Sequence, residues 1–392
     1  MPRWYQDAAW NAMRALCGPA LLRKYGVEAD FIDAEPSRPY LLMANHAHEA
    51  DAWVLGALLS RTVRYMANLE GSGLLKTAMA ELAGAYGKRK GVPDIAALRR
   101  TLELARSGET MGIFPEGDRS WDGRFQGIRP GTGKLIKALG LPVLMARQEG
   151  SYLSRPRWAD SPRRGSWRIR FRILDEGQVR ELPCGEIESA VSRWIGVDDI
   201  EARHGSYECP KPAEGAERIL WLCPRCGSLH SIHTQGELVR CTACDTSWTM
   251  DADQRMTQLF LFRNVEPRIR GVRDWLELQD DALRLRAAGV GRRGTMFPPD
   301  RAELWRDGDG SWHSLGSGSI WLEAGRVGLR LDRGGPAQHI PLSGMRGFVD
   351  HFNRIAEFSS TEGRFRLRFA HPGSYKWIRG LAILGSGEKE AS

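Results

Sequence analysis

A chain of 392 residues, 42% of them hydrophobic, is longer than one core usually grows, so two or three domains are expected. No run of 18 apolar residues occurs, and Arg3, Gln6, Asp7, Asn11 and Arg14 interrupt the N-terminus, which argues against a spanning helix or secretory signal and for the cytoplasm or a membrane face. The net charge of +8 favours acidic partners without separating nucleic acid from anionic lipid, and of seven Cys four stand in CxxC pairs, which points to metal in a reducing compartment.

Residues 4 to 22 place Trp4, Tyr5, Ala8, Ala9, Met13, Leu16 and Leu21 at helical spacing, with a break expected at Gly18-Pro19. Such a stripe either packs against the domain or lies in a bilayer interface, where Trp4, Tyr5 and Trp10 suit the headgroup level. Tyr40 to Ala44 is an apolar run of strand length, and Ala50 to Leu59 reads as a buried helix. Between them stands Asn45-His46-Ala47-His48-Glu49-Ala50-Asp51. On one continuous helix His46 and Asp51 would lie about 140° apart. They meet only if His46 sits in the loop leaving a strand and Asp51 in the first helical turn, and a carboxylate on one ring nitrogen then leaves the other free as a general base.

Ile95 to Ser107 reads as an amphipathic helix opened by Pro93-Asp94 and ended by Gly108. Thr110 to Phe114 reads as a buried strand running into Phe114-Pro115-Glu116-Gly117-Asp118-Arg119-Ser120, a turn whose backbone N–H groups and guanidinium suit a phosphate-bearing ligand. Gly131-Thr132-Gly133-Lys134 lacks nucleotide-loop spacing and reads as a turn opening a helix. Strand and helix alternate up to Pro142, the signature of an α/β domain. Residues 151 to 180 hold eight Arg, and Arg168 to Ile173 alternates strictly, as either a solvated edge strand or a docking face for coenzyme A phosphates or anionic lipid.

Val197 to Glu217 is polar and reads as a linker. Cys223 and Cys226, then Cys241 and Cys244, form two CxxC pairs 14 residues apart, the spacing of a closed, structural Cys₄ zinc ribbon. After Arg255 mostly short strands are expected, among them 319–323, 327–331, 340–342, 355–358 and 365–369, with Ser374 to Leu384 as a closing helix. Strands followed by one helix resemble a PH-like barrel.

NHAHEAD and FPEGDRS together resemble the signatures NHxSxxD and FPEGTRS of the glycerolipid acyltransferases, the 1-acylglycerol-3-phosphate acyltransferase family, over roughly residues 30 to 180. Gly84 to Arg89 occupies the place of the family's Arg block, and Leu141-Pro142-Val143-Leu144-Met145 partly matches a V-P-x-x-P run, with Met145 at the second Pro. His48 replaces the usual Ser and Asp118 the usual Thr. The resemblance implies a mixed sheet flanked by helices and transfer of a fatty acyl group from an acyl-CoA or acyl-carrier-protein thioester to a lysophospholipid or glycerol phosphate. It assigns His46 as base, Asp51 as its partner and N–H groups near Gly117 to the carbonyl oxygen. Arg89 and Arg119 would clamp the acceptor phosphate, with Phe114, Pro115 and Glu116 completing the binding loop.

The expected division is 1–205 acyltransferase domain, 206–250 linker and zinc ribbon, and 255–392 β-rich domain, on the inner membrane face as a peripheral protein. The rival is a zinc-ribbon protein on nucleic acid or membrane with a degenerate acyltransferase domain. Basic and aromatic residues interleave thinly in the ribbon, with Arg225, Arg240 and Trp248 only, which makes nucleic acid the weaker partner.

Overall fold

The computed structural model describes residues 4–68, 73–89, 94–259, 269–289, 294–308, 311–323, 325–351, 354–371 and 373–386. The chain forms two compact units, one of residues 1–89 and 93–210, the other of 90–92 and 211–392.

In the first unit the order is α1 (Trp4–Ala12), a π turn (Met13–Cys17), α2 (Gly18–Lys24), β1 (Val27–Phe31), β2 (Leu41–Ala44), α3 (Asp51–Leu58), β3 (Val63–Ala67), α4 (Gly73–Leu82), β4 (Tyr86–Gly87), α5 (Ile95–Arg106) and β5 (Thr110–Ile113). It continues with α6 (Thr132–Leu139), β6 (Val143–Glu149), α7 (Ser151–Ser154), β7 (Trp167–Leu174), α8 (Glu176–Glu181) and α9 (Cys184–Ile195). The expected break at Gly18-Pro19 is absent. Pro19 cannot donate and crowds the preceding turn, and the π turn just before it absorbs that misfit while the helical run continues.

The strands form one mixed sheet in the order β1-β7-β6-β2-β5-β3-β4, with β6 and β7 antiparallel and the other neighbours parallel. Alternation along β2 divides the core: Leu42 and Ala44 face one apolar cluster with Trp10, Val54, Leu55 and Trp167, while Leu41 and Met43 face another with Ile136, Ile187 and Val191. Two expectations change here. β7 lies between β1 and β6, so the Arg-alternating segment is an interior strand and not an edge. The expected linker is folded from 197 to 210: Val197 O accepts from Phe125 N at 2.9 Å, the Asp199 carboxylate accepts from the backbone N–H groups of Gly150 and Tyr152 at 2.8 and 2.6 Å, and Tyr207 is buried.

The second unit opens with a four-stranded antiparallel sheet of β8 (Ile232–Gln235), β9 (Leu238–Cys241), β10 (Ser247–Met250) and β11 (Met256–Leu259). α10 (Val272–Gly289) follows, a helix of 18 residues where short strands were expected. Its apolar stripe is narrow: Val272, Trp275, Leu276 and Leu283 are buried among charges. The fifth buried position is Gln279, whose side chain accepts from the N–H groups of Trp221 and Leu222 and donates to Ile219 O, holding the approach to Cys223.

β12 (Asp300–Gly308), β13 (Ser311–Glu323), β14 (Arg326–Leu331), β15 (Gln338–Pro341), β16 (Arg346–His351), β17 (Ile355–Ser360) and β18 (Gly363–Phe369) form a seven-stranded antiparallel sheet, and α11 (Ser374–Ser386) follows. The order β15-β14-β13-β12-β18-β17-β16 joins a four-strand and a three-strand meander through β12 and β18. This is the β-rich, PH-like pattern of strands and closing helix, with β12 and β16 added to the strands legible in the sequence.

Candidate active site and metal centre

β2 is central, the chain leaves it for β3 on one side and returns later as β6 on the other, and β5 lies beside it. Loops leaving the carboxyl ends of β2 and β5 therefore converge at a topological switch point, the usual ligand crevice of an α/β sheet. Asn45 fixes the exit from β2: its side chain donates to Gln148 O and accepts from Gln148 N, both at 2.8 Å, and its carbonyl accepts from Gln148 Nε2 at 2.7 Å. His46 follows in the loop and Asp51 opens α3, the placement the spacing required.

His46 Nδ1 and Asp51 Oδ2 are 2.6 Å apart, and the same oxygen accepts the N–H groups of Ala47 at 2.9 Å and His48 at 3.0 Å. An ionised carboxylate only accepts, so Nδ1 carries the proton and Nε2 presents a lone pair. The imidazole stacks on Phe114 with centroids 4.1 Å apart, and Tyr65 also stacks on Phe114, at 5.9 Å. Asp51 is fully buried and His46 half-buried, so the ring reaches solvent while its carboxylate partner is shielded.

Glu116 ties the loops together. Its carboxyl accepts from His46 N at 2.6 Å and Gln126 N at 2.9 Å, and burial pushes its pKa up to about 8 against the lowering effect of those two bonds. Ser120 N donates to His46 O at 3.1 Å, and the Ser120 hydroxyl is held within its own turn, donating to Arg124 O and accepting from Gly123 N. Gly117 sits at φ 77°, which suits a residue without Cβ, and its N–H closes the turn onto Phe114 O at 3.1 Å. The Gly117 amide is thus already engaged.

Arg119 is half-buried, and its guanidinium makes no hydrogen bond or ion pair among the described residues. Burial lowers its pKa and nearby Arg157 adds to this, while Asp118, Glu49 and Asp51 act in the opposite sense. Asp118, the departure from the family's Thr, accepts from Arg157 Nη1 at 2.8 Å and Arg119 N at 2.7 Å, and Arg157 lies over the Trp121 ring at 4.0 Å. His48, the other departure, is a core residue: buried between Tyr25 and Trp167, it accepts from Ala50 N at 2.9 Å, and burial lowers its pKa to about 4.

Arg89, unlike Arg119, has a carboxylate partner. It follows the edge strand β4, with its backbone N–H on Asp94 Oδ2 at 2.7 Å and its guanidinium 4.0 Å from the same carboxylate. Two cations that sequence reasoning missed belong to the surroundings of this loop. Arg129 donates through Nε to Glu116 O at 3.0 Å, and the ammonium of Lys88 is lowered in pKa by burial and then by Arg129. Lys88 stands beside Arg89 in the block already singled out, but Arg129 carries no local signal because its role depends on the loop turning back.

In the second unit Cys223, Cys226, Cys241 and Cys244 place their sulfurs within 4.8 Å of one another, with Cys223–Cys244 and Cys226–Cys241 at 3.8 Å. Zinc–sulfur bonds of about 2.3 Å in a tetrahedron require sulfurs about 3.8 Å apart, so the donor set fits a metal such as zinc. Gly227 and Asp245, each directly after a CxxC pair, take φ of 69° and 62° and close the two knuckles.

Residues 27–146 match the family described as Acyltransferase. A solved structure, the 1-acyl-sn-glycerophosphate (LPA) acyltransferase PlsC from Thermotoga maritima, is similar at 18% identity and a TM-score of 0.39, over 48% of this chain and 80% of that one. No curated protein matches the chain. The loops bearing His46, Asp51 and FPEGDRS fall inside the matched segment, and residues 27–146 carry an acyltransferase domain, as the resemblance of the two motifs implied.

Proposed function

We propose that the protein transfers a fatty acyl group from an acyl-CoA or acyl-carrier-protein thioester to the hydroxyl of a lysophospholipid or glycerol phosphate, with 1-acylglycerol-3-phosphate the first candidate. The observation that carries this reading is the 2.6 Å contact of His46 Nδ1 with buried Asp51, at the switch point of the sheet. His46 Nε2 takes the acceptor hydroxyl's proton as its oxygen attacks the thioester carbonyl, and imidazolium forms against the Asp51 carboxylate. When the tetrahedral intermediate collapses, the carbon–sulfur bond breaks and His46 returns its proton to the thiolate. Stacking on Phe114 supports the imidazolium through its π face.

The unpaired guanidinium of Arg119 is the group best suited to the acceptor phosphate, with Lys88 and Arg129 adding positive charge. Arg89 would join only if a ligand drew it from Asp94. The Gly117 N–H would have to leave Phe114 O to meet a developing oxyanion. Zinc on the four cysteines would hold the ribbon, a structural duty, since four protein ligands close the metal to substrate. No helix among the described residues is long and apolar enough to cross a membrane, and docking from the cytoplasmic side would bring the site to its lipid. The test is incubation of the purified chain with acyl-CoA and a panel of lysophospholipids and glycerol-3-phosphate, read by mass spectrometry. Acylated lysophosphatidate is the expected product; an intact panel overturns the reading.

A further inference from the structure

A cavity of the first unit, about 310 Å³, is lined by Met145 of β6, Arg172, Ile173 and Leu174 of β7 and its end, Gln178 of α8, and Arg193 and Trp194 of α9, with Ala190 at its side. That volume is at the lower end of the range of about 300–1,000 Å³ typical of small-molecule pockets. It lies on the sheet face covered by α8 and α9. Met145 stands opposite Met43, three residues before His46, so its floor is about 10 Å along the strands from the imidazole-bearing residue at roughly 3.3 Å per residue.

The rim consists of donors. Arg172 and Arg193 have no carboxylate partner among the described residues: Arg172 lies over the Trp194 ring at 5.3 Å, and Arg193 donates only Nε, to Ser189 O at 3.3 Å. Gln178 uses its side-chain oxygen to accept from Asp175 N, which leaves its NH₂ as the third donor. The other arginines of β7 differ: Arg168 faces Glu28 at 3.8 Å and Arg170 binds Glu149 at 2.7 Å. Positive charge is therefore left uncompensated only where the strand borders the cavity. Beneath these donors the floor is Met145, Leu174, Ala190 and the Trp194 ring. Two free guanidiniums over an apolar floor select for a ligand that carries a negative head and a short apolar body.

We propose that this cavity binds a small anionic amphiphile, its carboxylate or phosphate head between Arg172 and Arg193 and its apolar body against Trp194, Met145 and Leu174. The site is separate from the His46 crevice and does not depend on the acyltransferase reading. Calorimetric titration of the full chain with octyl phosphate and with octanoate, each below its micelle concentration, tests it, with octanol and inorganic phosphate as single-feature controls. One-to-one binding is expected for one or both anions, at least tenfold tighter than for either control, and the tighter anion identifies the head group. Arg172→Gln and Arg193→Gln should each weaken binding at least tenfold with melting temperature unchanged, and Ala190→Trp should block it by filling the cavity. Arg119→Gln should leave this binding intact, which separates it from capture at the candidate active site. Equal binding of octanol, indifference to Arg172→Gln, loss in Arg119→Gln, or no saturable binding of either anion each overturns the proposal.

Discussion

His46 is held by three residues that each act on a different part of it: Asp51 on the ring nitrogen, Glu116 on the backbone N–H and Phe114 on the ring face. Removing the ring should abolish transfer in His46→Ala while leaving thioester binding in place. Asp51→Asn should cost about two to four orders of magnitude in turnover, as for orienting acids of triads, because the amide can set the wrong tautomer. His48→Ala should instead lower melting temperature with little effect on catalysis, since His48 is a neutral core residue between Tyr25 and Trp167. Steady-state rates and melting curves on the three variants separate these outcomes, and near-wild-type turnover by His46→Ala would remove it as the base. The two arginines of the expected clamp part ways as well. Arg119→Gln should raise the Michaelis constant of a phosphorylated acceptor far more than that of the thioester, whereas Arg89→Gln should act more weakly, because Arg89 already has Asp94 as partner. The His–Asp contact was legible from spacing because the loop and the helix start are both local signals. Arg129 and Lys88 were not, since their approach depends on how distant loops return.

Short, punctuated elements were the most legible. Both CxxC knuckles, the N-cap Asp94 and the turn at Gly131 are written within a few residues of themselves, and each is found where spacing placed it. α10 and the interior place of β7 were hidden for one reason: partners far away in sequence decide them, Ile219 to Leu222 for Gln279 and β1 with β6 for β7. Because a closed metal site contributes folding energy, Cys226→Ser or chelation should loosen the ribbon. Hydrogen exchange should rise over residues 223–250 and leave the His46 loop unchanged, and elemental analysis should find one zinc per chain. The seven-stranded sheet has its own electrostatic fastening in Glu357, which faces Arg364 at 2.8 Å, Arg366 at 2.6 Å and His351 at 3.2 Å. Burial alone would raise its pKa, but the His351 hydrogen bond and the charges of Arg366 and Arg364 outweigh burial and hold it at about 2, below the ordinary 4.5. A depressed carboxylate contributes fully above its unfolded pKa, so on the order of 3 kcal/mol is present above pH 4.5 and is lost as pH falls through 2. Acid unfolding of this sheet followed by hydrogen exchange should steepen across that window and flatten in Glu357→Gln. An unchanged acid profile in the variant would show that Arg364 and Arg366 are compensated elsewhere.

At the scale of the whole molecule, a net charge of +8 overstates what is free to meet a membrane. Of the arginines expected to dock, Arg163 is only 2% exposed, while Arg168 and Arg170 face Glu28 and Glu149. The N-terminal helix is divided too. Trp10 is 2% exposed, donates its indole N–H to Ala83 O at 2.8 Å and lies where any Cβ on Gly56 would collide with it, so this part of the stripe is core. Trp4 and Leu16, by contrast, are 70% and 80% exposed, and Tyr5 is exposed as well. Removing the entire segment would therefore unfold the domain and test nothing about lipid, whereas Trp4→Ala with Leu16→Ala leaves Trp10 in place. Apolar contact should dominate the docking, and charge should add a modest term screened over about 8 Å at physiological ionic strength. Flotation with vesicles is expected to show binding to anionic lipid that falls by severalfold in the double variant and less steeply with added salt. Melting temperature should stay unchanged, since both side chains are solvent-facing. If the double variant floats as the parent does, the exposed residues of this helix are not the contact. If salt alone abolishes binding, the attachment is electrostatic and must use arginines other than those of β7 that are already paired.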